Sequence, residues 1–242
     1  MIKREQFVLA MRNIPAWTVV IFTASSIIMN LLANKSIDID SRYLALDCGI
    51  FVSWIAFFSM DVVAKRYGAK AAISVSLTAA MVNVAVACVF FLISFVPGNW
   101  GMSYELADAA TANAAVNGTF KGNWFILFGS TVALIVSAIV NALSNVAIGK
   151  MFKKQDTFLE YITRSYISTF IGQFVDNLTF AFIVSIALFG WTVPQSIGCA
   201  VVGAVVELIG EVIFSPLGYR VTRKWKALGV GQEYLDRYEG AL

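Results

Sequence analysis

Six stretches of this chain are each long and apolar enough to cross a lipid bilayer, and they contain almost no charged residues. A bilayer core of about 30 Å needs roughly 20 helical residues, and continuous apolar runs favour helices over barrel strands. Charged residues make up 14% of the chain, against about 25% in soluble domains. The sequence therefore predicts an all-α integral membrane bundle that forms a single domain. Its six transmembrane helices are expected near residues 15–33, 43–60, 71–96, 124–149, 165–189 and 193–219.

The distribution of Lys and Arg predicts how these spans are oriented. Fifteen of the 18 basic residues lie in the N-terminal segment, the second and fourth loops and the tail. Because cytoplasmic loops are enriched in Lys and Arg, we expect both termini on the cytoplasmic side of the cytoplasmic (inner) membrane, with residues 97–123 as an external loop. The basic residues then determine how the spans are oriented and contact anionic membrane lipids. The net charge of +3 therefore indicates no nucleic-acid partner.

The sequence lacks the residues and motifs that several kinds of functional site require. The chain has no histidine, which is the commonest metal ligand and the commonest proton shuttle near neutral pH. Cys48, Cys88 and Cys199 lie inside predicted spans without paired spacing, as small apolar packing residues do. No zinc-protease, phosphate-loop or nucleophile-elbow motif occurs, and no nucleophile–base pair is visible. We therefore expect no metal, no cofactor and no enzymatic activity.

Polar side chains within the predicted spans are the candidates for function. A charge at mid-bilayer costs about 2.5–3.5 kcal/mol, so it usually faces a cavity or a partner. Three spans carry polar residues at helical spacing on one face, and we expect all three faces to line a common cavity. These residues are Gln173, Asp176 and Asn177 in the fifth span, Glu207 and Glu211 in the sixth, and Asn141 and Asn145 in the fourth.

Asn30 of the first span and Asp61 at the end of the second complete the set of candidate substrate-binding residues. Asp61 precedes Lys65 by four residues, so a helix-end ion pair is the favoured explanation there. For the Asn residues of the third and fourth spans, interhelical hydrogen bonding explains the sequence as well as ligand binding does. Asp176 and the two glutamates have no Lys or Arg in their own spans, which favours a role in binding a substrate or a proton.

Four segments resemble a known family of membrane proteins. They are residues 61–72 (DVVAKRYGAKAA), 168–182 (STFIGQFVDNLTFAF), 25–30 and 216–219. These segments are similar to those of the queuosine precursor transporters, also called the vitamin uptake transporter family, and the resemblance covers nearly the whole chain. It implies import of 7-deazaguanine bases, such as pre-queuosine bases or queuine, which are precursors of the modified tRNA base queuosine. Carried over by residue, it points to Asp61, Tyr67, Gly68, Gln173 and Asp176.

The chemistry of a guanine-like base fits these residues. A carboxylate accepts the ring N–H and the exocyclic amine as a bidentate pair, which is strong in a low-dielectric cavity. A second acid, Glu207 or Glu211, would suit a protonated amine on the side arm of the base. Such acids could also bind and release a coupling proton. The aromatic candidates for stacking on the base are Trp54, Phe174, Phe180 and Phe182.

Other functions are compatible with the same sequence. The main alternative is the substrate-binding subunit of an energy-coupling-factor vitamin importer, which would depend on separate ATPase subunits. An intramembrane enzyme and an assembly factor without a ligand are weaker alternatives, and the second leaves the acidic stripes unexplained. Small residues on the third and sixth spans also permit a homodimer.

Overall fold

The computed structural model describes residues 3–101, 108–151 and 158–238, which are almost entirely helical. The helices are α1 (Arg4–Asn13), α2 (Ala16–Leu32), α3 (Ile50–Tyr67), α4 (Ala69–Ile93), α5 (Ala109–Met151), α6 (Phe158–Phe180), α7 (Ile186–Phe189), α8 (Val193–Ala227) and α9 (Gln232–Tyr238). A π-helical turn, Ala181–Ser185, joins α6 to α7. Between α2 and α3, strands β1 (Ser36–Ile37) and β2 (Leu46–Asp47) pair as an antiparallel hairpin. The predicted all-α class is confirmed apart from this hairpin.

Four segments of the described chain are long and apolar enough to cross a membrane. They are Ala69–Ile93, Ala109–Ser137, Thr169–Phe189 and Val193–Ala227. Helices α1 and α2 supply a fifth if they count as one span, although they meet at a bend of 103°. Helix α3 carries Asp61, Lys65 and Arg66 within its 18 residues, more charge than an apolar span allows. The structure thus supports a multi-pass bundle, while six spans and cytoplasmic termini stay predictions.

Three predicted boundaries differ from the observed ones. The second span was expected over residues 43–60, but α3 starts only at Ile50, because the preceding residues pair in the hairpin. Part of the expected external loop is helical, since α5 begins at Ala109. Asp108 stabilises that start by accepting the Thr111 N–H at 3.1 Å, and its hydrogen bonds to Thr111 lower the pKa of Asp108. The sixth span was expected to end at residue 219, but α8 continues to Ala227.

The bend between α1 and α2 has a local cause in Pro15. The residue before a proline is disfavoured in the α conformation, and Ile14 is accordingly extended, with φ of −76° and ψ of 131°. Helix α1 therefore turns across the end of the bundle. Its residues Leu9, Ala10 and Ile14 join a buried cluster with Tyr67 and Trp225. This cluster ties α1, α3, α4, α8 and α9 together at what we call the basal end of the molecule.

At the opposite end, the hairpin and the loop within it pack on the start of α8. The Gln195 side chain donates to the Ser41 carbonyl at 3.0 Å. One turn further, Gly198 lies so close to the Tyr43 carbonyl that a Cβ atom would overlap its oxygen. A residue without a side chain is therefore required at this contact.

The hairpin contact predicts the effect of two matched substitutions. Gly198→Ala should lower the free energy of unfolding by about 1–3 kcal/mol, because the new methyl group must displace backbone. Gly118→Ala in α5 meets no atom within 4 Å and should stabilise by about 0.5–1 kcal/mol through helix propensity. Thermal unfolding in detergent measures both changes. A Gly198→Ala protein as stable as the wild type would contradict the close packing.

Candidate substrate site

Two polar cavities lie between α2, α3, α5, α6 and α8. The hairpin cavity, with a volume of about 60 Å³, lies beside the hairpin, and its polar lining includes Asn30, Asp47, Ser53, Asp176, Asn177 and Glu207. The basal cavity, of about 240 Å³, lies nearer the basal end, and its polar lining includes Asp61, Ser137, Gln173, Asp176, Glu207 and Glu211. Helices α5, α6 and α8, each predicted to carry a polar face, thus meet around these two cavities.

Three residues line both cavities, namely Phe57, Asp176 and Glu207. They come from α3, α6 and α8, so three separate helices meet between the two spaces. No Lys or Arg is among the described residues that line either cavity. The two carboxyl groups are therefore held in a polar but cation-free environment, which a donor-rich or cationic solute would complement.

Asp176 is positioned by helix α5. The Ser137 hydroxyl donates to Asp176 Oδ1 at 2.8 Å, across an interface in which α5 and α6 pack along their length. Ser137 is itself buried. Among the described residues, this neutral hydroxyl is the donor to the carboxylate, and it leaves the other oxygen available to the cavity.

Glu207 is held from two sides and is only 2% exposed. The Asn177 amide donates to Glu207 Oε2 at 3.2 Å, and the Ser53 hydroxyl also hydrogen-bonds this carboxylate. Gly203, one turn before Glu207, makes room for Asn177, since a Cβ there would lie 2.7 Å from Asn177 Oδ1. The close approach of α6 and α8 thus depends on this glycine.

Each cavity also contains a buried amide oxygen that accepts no hydrogen bond from the described residues. In the hairpin cavity it is Asn30 Oδ1, while the Asn30 amide nitrogen donates to Asn83 Oδ1 at 3.2 Å. In the basal cavity it is Gln173 Oε1. Asn30 is 3% exposed and Gln173 6%. Buried acceptors are almost always satisfied in folded proteins, so these two oxygens favour a ligand or water that donates.

The remaining predicted site residues lie at the basal side. Asp61 pairs with Lys65 at 2.5 Å, as its spacing indicated, and it lines the basal cavity together with Glu211. Asn141 and Asn145 lie on α5, one and two turns beyond Ser137. Their side chains fall outside the described part of the structure.

Sequence reasoning missed Asp47 as a site residue. Because it lies in β2 rather than within a span, helical spacing could not connect it to the other acids. It lines the hairpin cavity, and its Oδ1 accepts the Gly49 N–H at 2.8 Å. Burial raises the pKa of Asp47 to about 6, and the Gly49 hydrogen bond opposes that rise. Ser137 could have been found, since it precedes Asn141 by one helical turn on the predicted polar face.

The aromatic candidates are only partly at the site. Phe180 lines the hairpin cavity, whereas the Trp54 ring stacks on Phe214 at 4.5 Å between ring centroids. Phe182 is exposed, and neither Trp54 nor Phe182 is among the described residues that line the two cavities. Phe57, which was not predicted, lines both cavities.

The apolar helices are those of a multi-pass membrane protein. Residues 47–221 match the family described as "Putative vitamin uptake transporter". The chain belongs to this transporter family. No curated protein matches the chain, and no solved structure matches it.

The cation-free environment of the acids predicts a stability effect. Asp176→Asn and Glu207→Gln should each raise the melting temperature by about 2–4 °C for every kcal/mol gained. The amide oxygens can still accept from Ser137 and Asn177, while the cost of burying a charge is removed. Asp38→Asn, at an exposed acid, should leave the melting temperature unchanged. Lower stability in both site variants would show that the carboxylates themselves stabilise the fold.

Proposed function

We propose that this protein imports purine-like bases of the 7-deazaguanine type, the queuosine precursors, across the cytoplasmic membrane. Asp176 and Glu207 are the groups that bind the base. The observation that carries the proposal is the position of these two carboxyl groups between two cavities that approach them from opposite ends of the bundle. A solute bound there could be reached from either side, as alternating access requires.

The polar groups of the site match the donors of such a base. A carboxylate can accept the ring N–H and the exocyclic amine together, and Asp176 has one oxygen that is not bonded to Ser137. The unpaired oxygens of Asn30 and Gln173 are further acceptors, one in each cavity. The site is therefore rich in acceptors, which favours a donor-rich solute over an anionic vitamin.

Phe57 and Phe180 are the proposed stacking residues for the flat ring. Phe57 adjoins both cavities, and Phe180 adjoins the hairpin cavity. The basal cavity is about four times larger than the hairpin cavity. This asymmetry supports entry of the base from the basal side.

A second acidic side chain at the site could bind a positively charged part of the substrate. Glu211 lies one turn beyond Glu207 in the basal cavity, where it could bind the protonated side arm of a precursor. The same carboxyl groups could instead carry a coupling proton. A neutral and a cationic precursor distinguish these uses, because only the side-arm contact depends on substrate charge.

The energy-coupling-factor subunit is the alternative to a self-sufficient transporter. Both would bind the base, so binding alone does not separate them. Purified protein in liposomes, without ATPase subunits, separates them, since accumulation of labelled base inside these vesicles requires transport by this chain alone.

Uptake by Asp176→Asn tests the proposed role of the carboxylate. We expect uptake of labelled 7-deazaguanine into such liposomes to fall about 10- to 100-fold, since hydrogen bonds to a charged group are worth about 1.5–3 kcal/mol. Asp38→Asn serves as the matched control and should transport like the wild type. Normal uptake by Asp176→Asn, with equal protein inserted, would remove Asp176 from the site.

The two sixth-span glutamates give a further prediction. Glu211→Gln should reduce uptake of an amine-bearing precursor by about tenfold or more, because a charge-assisted bond is lost. Uptake of a neutral 7-deazaguanine should change little. Glu207→Gln should impair both substrates, since Glu207 adjoins both cavities. Equal losses for both substrates in Glu211→Gln would argue against a side-arm contact and in favour of proton coupling.

A further inference from the structure

A third cavity, of about 220 Å³, lies at the basal end where α1, α3, α4 and α9 meet. The transport proposal makes no use of it. Its lining contains three cationic side chains, Lys65, Arg66 and Lys70, and no Asp or Glu among the described residues. The polar groups that α1 and α9 contribute are Gln6, Tyr234 and Tyr238. We call this space the cationic cavity.

The start of helix α4 adds backbone donors to the cationic cavity. Gly68 is the N-cap residue, with φ of 82°, and no side chain caps the helix. The first N–H groups of an α-helix have no partner within the helix. Ala69 and Lys70 carry two of these groups, and both residues line the cavity. A helix of 25 residues that begins here also directs the positive end of its dipole towards this space.

The Arg66 side chain is a second group at this cavity with a hydrogen-bond donor that lacks an acceptor among the described residues. One guanidinium NH₂ group donates to the Val230 carbonyl at 3.0 Å, which fixes the side chain against the turn before α9. Its Nε atom is buried and has no hydrogen-bond partner among the described residues. A buried donor atom without an acceptor is costly, so an acceptor from outside the chain would stabilise this partly exposed side chain.

We propose that the cationic cavity binds a phosphate group. A tetrahedral oxyanion can accept from the first N–H groups of α4, from the Arg66 guanidinium and from the Lys70 ammonium group together. Lys65 already pairs with Asp61, which leaves Arg66 and Lys70 as the principal cationic partners. The phosphate comes either from the headgroup of an anionic phospholipid or from a soluble phosphate compound, and the chemistry of the site is the same for both.

Thermal unfolding in two settings tests the site and identifies the source. In the first, protein in neutral detergent is unfolded in inorganic phosphate or in sodium chloride of equal ionic strength. In the second, it is unfolded in nanodiscs of phosphatidylcholine with or without phosphatidylglycerol. We expect the wild type to gain about 3 °C or more in at least one setting. Stabilisation by inorganic phosphate indicates a soluble ligand, and stabilisation by phosphatidylglycerol alone indicates the lipid headgroup.

Three variants make the result specific. Lys70→Gln removes one charge, and Ala69→Pro removes one N–H donor at a position that proline favours in helices. The extended ψ of 171° at Gly68 accommodates a following proline. Both variants should lose at least half of the ligand-induced shift. Lys224→Gln, at an exposed residue of α8, should keep the full shift. Equal shifts in the wild type, Lys70→Gln and Ala69→Pro, or no shift in either setting, would overturn the proposal.

Discussion

The constraint on which the rest of this structure depends is a pair of carboxyl groups, Glu207 fully buried and Asp176 partly buried, with no Lys or Arg beside them in the cavity linings that the structure describes. Within the described part of the chain, the donors to Asp176 and Glu207 are the neutral groups of Ser137, Asn177 and Ser53. Supplying those donors requires α5 and α6 to pack closely, and it requires a glycine on α8 where Asn177 passes. Carboxyl groups removed from water in this way carry a desolvation cost that hydrogen bonds only partly offset. The helix packing is therefore arranged around a site that a positively polarised solute would complete.

Periodicity in the sequence predicted much of this arrangement. Helical spacing placed Gln173, Asp176 and Asn177 on one face and Glu207 on another, and the structure brings these faces together. The pattern could not show which residue of one helix meets which residue of the next, so the Ser137 contact was not predicted. The hairpin escaped prediction as well, because two-residue strands carry no periodic signal. Asp47 therefore went unassigned, since only the fold of that hairpin brings it to the cavity.

The range of the family match and the residues of the candidate site overlap only in part. The match begins at residue 47 and ends at residue 221. It thus includes the acids of α6 and α8, whereas Asn30 on α2 and all of α9 lie outside it. Asn30 is nevertheless part of the hairpin cavity. The matched residues therefore include Asp176, Glu207 and Glu211, while the fold brings Asn30 to the hairpin cavity from outside the matched range.

Helix α8 touches both ends of the molecule. It has 35 residues and so extends about 50 Å at 1.5 Å per residue. Gly198 near its start contacts the Tyr43 carbonyl, and Trp225 near its end is buried with α1 and α9. Pro216, between Glu211 and Trp225, removes one intrahelical hydrogen bond from α8. This single helix joins the packing at the hairpin end to the buried cluster at the basal end, so any displacement of α8 as a whole alters the contacts at both.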